Sequence, residues 1–304
     1  MINGIINVYK EKGYTSHDVV AKLRGMLKQK KIGHTGTLDP DAEGVLPVCL
    51  GNATKVCDIL TDKDKTYEAV LLLGLTTDTQ DIGGTVLSEK EVRLDRERIE
   101  EAVYGFIGEY DQVPPMYSAV KINGKRLYEL ARAGKEVERA ARKVWIHKIR
   151  ILETDLNHSE VRLLVDCSKG TYIRTLCHDI GAGLNCGGCM KSLLRTKAGQ
   201  FTVENSRKLS DIHTLIEEGR LTEILTKTDD MFPDYGKVIV AEKNCRYIYN
   251  GNSFRPEELA EPDWKPEHEW NAGPVRVYDW KKEFVGIYRY DLADGRFHPV
   301  KMFL

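Results

Sequence analysis

No stretch of this sequence stays apolar for long. The longest unbroken run, Ala69-Val70-Leu71-Leu72-Leu73, falls far short of the roughly 20 residues that cross a bilayer, so no membrane span is expected. The first residues carry no basic segment followed by an extended apolar one, so no signal peptide is read there and a cytoplasmic protein is expected. Also missing are a P-loop or dinucleotide glycine pattern ahead of a helix, an HExxH pair and a GxSxG elbow. Those absences argue against nucleotide hydrolase, dehydrogenase, zinc protease and α/β-hydrolase chemistry. Cysteine is sparse: seven residues, an odd number in mostly apolar contexts, which suits a reducing compartment. Cys186-Gly187-Gly188-Cys189 has metal or redox spacing. Neither a second ligand pair nor a thioredoxin-like βαβ context accompanies it, so it is read as incidental thiols in a glycine-rich turn, and no metal is expected.

Net charge is nearly absent as well, at −1, but its distribution is uneven. Seven Lys/Arg lie between Lys10 and Lys31 against Glu11 and Asp18, and five lie between Arg139 and Arg150 with no acid. The balancing acids gather at Glu257, Glu258, Glu261, Asp263, Glu267 and Glu269. Phosphate contacts depend on local charge, so a nucleic-acid partner stays open, as does a set of solvated helix faces.

The chain is long enough for one large domain and a small one. Gly4 to Tyr9 reads as a strand, and Ser16 is placed to cap a helix with Val19, Val20, Leu23, Met26 and Leu27 at the 3.6 period. Tyr67 to Leu73 reads as a strand buried on both faces. Asp95 begins a helix with Ile99, Ala102, Val103, Phe106 and Ile107 inward. Val144–Leu152 and Val161–Cys167 form a strand pair. After Gly170 a helix buries Ile173, Leu176, Cys177, Ile180 and Leu184, with Arg174 off that stripe and pointing away from the core. Short helices near 210–216 and 221–225 lead to a boundary at Asp229–Gly236. Short strands at 238–241, 275–278, 284–290 and 298–303 then suggest a small β-barrel.

Gly33 to Pro47 is the most chemically suggestive segment. Gly33, Gly36 and Gly44 permit unusual backbone angles, and Pro40 keeps Asp39 out of helical conformation. That displays a carboxylate on a stiff loop, and it equally describes an ordinary Asp-Pro turn.

Five segments occur in one order: GHTGTLDPDAEGVLPVCLGNATK, DKTYEAVLLLGLTTDTQD, PPMYSAVKINGKRLYELARAG, CSKGTYIRTLCHDIG and LLRTKAGQF. They resemble the ordered motifs of the TruB-type tRNA pseudouridine synthases, over about two thirds of the chain. The resemblance implies an α+β fold, with a mixed, mainly antiparallel central sheet and flanking helices in residues 1–234. A thumb-like insertion is placed at about 122–143 and a PUA-like RNA-binding β-barrel at 235–304. It implies isomerisation of uridine 55 in the T-loop of tRNA without cofactor or metal; a monomer is expected. In that reaction the N-glycosidic bond breaks, the base turns and it is rejoined through carbon.

By the same resemblance, Asp39 is the essential aspartate, Arg174 its ion-pair partner, and Tyr67 the tyrosine that stacks on the target base. His34, Tyr172 and Leu194 fall where the family contacts substrate. Asp78 and Asp81 shape backbone near the RNA. Lys121, Lys125, Arg126, Arg132 and Lys135 are candidate phosphate contacts. The chain departs from the pattern at Lys10-Glu11-Lys12-Gly13, which lacks the family's proline and leaves Lys10 without an assigned role. It departs again at the extra cysteine of Cys186–Cys189, and in the acidic, Trp-containing stretch from Glu257 to Trp270. Two other readings stand: a guide-RNA-dependent relative acting on ribosomal RNA, against which the thumb segment speaks, and an RNA-binding or folding module without chemistry.

Overall fold

The computed structural model describes residues 1–93, 95–122, 124–261 and 273–304. Within these, strands from the first 226 residues form one large sheet. Its path runs Leu225–Thr226, Gly4–Lys10, Glu43–Leu50, Gly188–Ala198, Lys65–Leu73, Glu160–Cys167, Arg142–Asp155 and Gly108–Gln112. Ile32–His34 and Phe201–Thr202 attach beside it. Every pairing is antiparallel except one: Glu43–Leu50 and Gly188–Ala198 run parallel, with Leu194 opposite Glu43 and Arg195 opposite Gly44. The architecture is therefore α+β with a mixed, mainly antiparallel sheet.

Helix Ile173–Gly183 covers the middle of this sheet. Ile173, Leu176, Cys177 and Ile180 are buried as their spacing predicts, each large apolar side chain contributing about 1.5–3 kcal/mol. The helix sits close because Gly181 faces Gly188, whose backbone a Cβ at 181 would strike. Only one face of Lys65–Leu73 is buried, contrary to the expectation for both. Tyr67, Ala69, Leu71 and Leu73 lie under the helix, whereas Glu68 on the other face stands 3.7 Å from Arg162 Nη1. Helix Arg96–Tyr104 is capped by Asp95, whose Oδ1 accepts from Arg98 N at 2.9 Å. It ends before Ile107, which is 46% exposed rather than inward.

Helix Ser16–Leu27 corrects another expectation. Its cap is Thr15, in a reciprocal box with Asp18: Thr15 Oγ1 accepts from Asp18 N, and Asp18 Oδ2 accepts from Thr15 N. Ser16 is thereby freed, and its buried hydroxyl accepts from Leu38 N at 2.9 Å.

A second, four-stranded sheet joins Gly236–Ile239, Pro274–Tyr278, Phe284–Asp291 and Arg296–Met302, its first pair parallel and the others antiparallel. Phe254, Tyr288 and Phe297 fill its own core. Phe232, Ile287 and Phe303 join Ile5, Val45 and Phe201 in a cluster that ties the two sheets together. Of the acidic stretch, Glu257 and Glu258 form a turn, while 262–272 lie outside the described residues. No helix among the described residues is long and apolar enough to cross a membrane.

Candidate active site

The Asp39 loop is both of the things its sequence left open. Ala42 N donates to Asp39 O at 3.1 Å, closing a turn with Pro40 at its second position. The turn is held from outside on several sides. Ser16 grips Leu38, Gly13 N donates to Pro40 O at 2.9 Å, and Thr35 N donates to Pro47 O at 3.1 Å. Gly36 and Gly44 have φ of +131° and +104°, which explains glycine at those two positions.

The loop brings the Asp39 carboxylate to Arg174. Arg174 Nε stands 3.0 Å from Asp39 Oδ2, and Nη2 donates to Asp39 Oδ1 at 3.4 Å. The same guanidinium donates to Thr79 O, to Tyr117 O at 2.8 Å and to Asp81 Oδ2 at 3.4 Å. Arg174 does leave the apolar stripe of its helix, yet its side chain is only 6% exposed, because the Asp39 loop, the Thr79–Asp81 turn and Tyr117 cover it. Four hydrogen bonds and the Nε contact to Asp39 make this a fixed cation rather than a surface ion pair. Burial pushes the Asp39 carboxyl above its ordinary range; Arg174 opposes that, and Asp81 adds to it.

Tyr67 lies in the sheet floor, buried, with its hydroxyl pushed upward by that burial. Leu194 packs over Gly44: a Cβ there would meet Leu194 Cδ1 at 2.9 Å. His34 is half-buried, with Nδ1 3.1 Å from Gly36 O; burial lowers its pKa, favouring the neutral ring. Tyr172 precedes the Arg174 helix and is pinned by Gln112, which accepts from Tyr172 N at 2.7 Å and donates to Tyr172 O at 2.9 Å.

Asp78 and Asp81 do shape backbone, through Thr85 N and Gly83 N. Asp81 also serves as a second acid on Arg174, which the sequence reading did not assign. It likewise left Lys10 without a role. Lys10 is fully buried, and its Nζ donates to Tyr14 O at 2.6 Å, Pro40 O at 3.1 Å and Glu11 O at 3.2 Å. Burial brings its pKa down to about 8. It therefore clamps the carbonyl next to Asp39, at a turn that has lost its proline.

Lys121, Lys125 and Arg126 occupy an exposed hairpin, Lys121–Ile122 with Lys125–Arg126, followed by helix Leu127–Arg132. Arg126 and Arg132 lie over the Tyr128 ring, at 5.7 and 5.4 Å, and Lys135 is exposed. Just ahead of this segment, the Tyr117 carbonyl accepts from Arg174 in the Asp39 cluster. Cys186 and Cys189 are buried free thiols. The metal-compatible spacing of Asp291, Asp294 and His298 lies on the second sheet, exposed, with both His298 ring nitrogens already engaged by Ser253 and Asp294.

Family models match consecutive parts of the chain. Residues 24–173 match the TruB family pseudouridylate synthase N-terminal domain, and residues 174–232 match the tRNA pseudouridylate synthase B C-terminal domain. A protein named tRNA pseudouridine synthase B from Lachnoclostridium phytofermentans is 55% identical over 311 residues, covering 100% of both chains. The chain belongs to the TruB family. A second relative of that name, from Alkaliphilus oremlandii, is 47% identical, covering 94% of this chain and 92% of its own. Among solved structures, a Cbf5-Nop10-Gar1 complex contains a chain 26% identical, with a TM-score of 0.71, covering 99% of this chain and 85% of that one. Membership makes this chain a pseudouridylate synthase, an isomerase. The junction of the two family models falls between Ile173 and Arg174, so the Asp39–Arg174 pair is assembled from both.

Proposed function

We propose that this chain converts uridine 55 in the T-loop of tRNA to pseudouridine, with Asp39 as the group that acts on the ribose. The observation that carries the reading is the Arg174 guanidinium, buried and directed at Asp39 beside Tyr67, in a chain whose full-length relatives are named tRNA pseudouridine synthase B. The reaction needs an ionised carboxylate at a site that excludes water, and burial works against that charged form. Arg174 holds the charged form and its orientation.

Isomerisation also needs the base outside its stack, at a cost of a few kcal/mol that apolar and aromatic partners offset. Tyr67, Leu194, Tyr172 and the neutral His34 supply such surface. The bond from C1′ to N1 is exchanged for one from C1′ to C5, and the C5 proton is lost as N1 gains one. No redox partner is required by that balance. Lys121, at the edge of a thumb at about 122–143, and Lys125 and Arg126 within it are assigned to phosphates of the T-stem. Residues 1–234 are taken as the catalytic domain and 235–304 as a PUA-like RNA-binding domain. The protein is proposed to act as a cytoplasmic monomer.

The test is pseudouridine mapping in a tRNA transcript incubated with the purified chain alone. Product at position 55 is expected, and Asp39→Asn should remove it, by about 10⁴-fold or more in rate, with tRNA affinity within a few fold. Retained isomerisation in Asp39→Asn would overturn the assignment of Asp39. A requirement for an added guide RNA would favour the guide-dependent reading instead.

A further inference from the structure

Arg195 is among the largest fully buried side chains, 1% exposed, and the proposed reaction gives it no task. Its main chain lies opposite Tyr67 on one side and opposite Gly44 on the other. Gly44 carries no Cβ because one would strike the Arg195 carbonyl oxygen. The side chain runs beneath the Asp39 loop. Nε donates to Val45 O at 2.7 Å, and Nη1 lies 3.7 Å from where a Cβ of Gly36 would stand. Nη2, equally buried, has no hydrogen-bond partner among the described residues.

The charged groups that sense Arg195 include the cations Lys10 and Lys65 and the half-buried His34. A guanidinium kept only to fill this space could be replaced by an apolar side chain without loss, as buried ionic groups often can. Its neighbour Tyr67 gives it a use. Burial pushes the Tyr67 hydroxyl up, Arg195 is the largest influence drawing it down, and Cys167 and Asp39 add to the rise. Residues directly opposite on antiparallel strands share a face, so the register itself aims one side chain at the other.

We propose that Arg195 is a positioning residue whose free guanidinium edge engages the phenol oxygen of Tyr67, turning the O–H toward the Asp39 side of the pocket. The inference rests on the proposed function, in which Tyr67 lies against the extruded uridine. In that state the phenol oxygen accepts from Nη2, and the ring is held flat under the base by the guanidinium as well as by packing.

Two readouts test it. 3,5-Difluorotyrosine placed at position 67 reports the phenol's ionisation by fluorine NMR in the free protein. Pseudouridine formation on a T-loop transcript gives kcat and KM. Arg195→Met should raise the position-67 ionisation midpoint and lower kcat about 10- to 100-fold with KM within a few fold. Arg195→Lys, which keeps the charge, should restore part of both and carries the test where Arg195→Met does not fold. In a Tyr67→Phe background, Arg195→Met should add little further loss of rate. An unmoved position-67 titration, a full additional loss in the Tyr67→Phe background, or failure of both variants to fold would each overturn the proposal. Wild-type protein inactive on T-loop RNA would sink the proposed function instead, and the titration would still decide what Arg195 does to Tyr67.

Discussion

Replacing Lys10 with methionine separates a buried charge from the shape of its stem. In the folded protein the Lys10 ammonium is out of water, and burial lowers its pKa from 10.5 to about 8. The unfolded chain therefore binds more protons than the native one between those values, so the stability of the wild type rises with pH across that window. Below pH 8 the cost of the buried charge is fully present, and by pH 10.5 it is relieved. At about 1.4 kcal/mol per tenfold ratio, the gain is about 3.5 kcal/mol. Lys10→Met has no such group, and both proteins keep Lys65, whose pKa is likewise lowered to about 8 by burial. The difference between the two therefore isolates Lys10. Urea unfolding at pH 7, 8, 9 and 10 measures it: the wild type should gain on the variant by about 2 kcal/mol or more from pH 7 to 10, with m unchanged. Parallel pH curves for the two proteins would refute the reasoning. At pH 7 the variant should also be slower on tRNA, because Pro40 O, beside Asp39, has lost a donor.

Arg174→Ala leaves the half-buried carboxylates of Asp39 and Asp81 without their shared cation, a loss of about 1–3 kcal/mol in stability because solvent screens both acids in part. Its kcat should fall far more than its affinity, measured by single-turnover kinetics and filter binding; equal activity to wild type would show the pair to be unnecessary. Because Asp39 sits above its ordinary range, protonation should silence the enzyme as pH falls, and that acid limb should move further upward when the opposing Arg174 is removed. Asp81→Asn removes the charge and leaves one acceptor oxygen for Arg174 and Gly83 N, which the carboxylate serves with two; it should slow turnover by about tenfold and lower the melting temperature slightly, read by kcat and thermal melting. Gly181→Ala places a Cβ against the Gly188 backbone and should destabilise by about 1–3 kcal/mol without changing kcat at temperatures where the protein stays folded.

The helices and most strands were legible because they follow local rules. The stripe of Ile173, Leu176, Cys177 and Ile180 needs only the 3.6 period to be found. The Thr15 cap was legible too, since Thr15 and Asp18 have capping-box spacing, but Ser16 is an equally good cap type one residue later. Asp39, Tyr67 and Arg174 could be grouped only through the resemblance; no local pattern relates residues 135 positions apart. What stayed hidden depends on burial made by distant chain. Lys10 meets Pro40 across 30 residues, Arg174 meets Asp81 across 93, and Arg195 meets Val45 across 150. In the sequence, each of these cations is indistinguishable from a solvated one.

The location of the candidate site follows from the one place where the large sheet changes sense. Parallel neighbours cannot be joined by a tight hairpin, so Glu43–Leu50 and Gly188–Ala198 arrive from remote parts of the chain and share only the pairs Leu194–Glu43 and Arg195–Gly44. Immediately beyond, Gly188–Ala198 is irregular between Arg195 and Lys197 against Lys65–Leu73. Such irregularities bend a strand and re-aim its side chains. The Asp39 loop enters at that seam, with Tyr67 across from Arg195 and Leu194 over Gly44. A continuous antiparallel ladder would leave no edge for the loop to occupy, and a longer parallel one would close over it. The two-residue seam therefore accounts for a half-buried Asp39 carboxylate above the fully buried Arg195 guanidinium, and for why Gly44 answers to the fold and the site together.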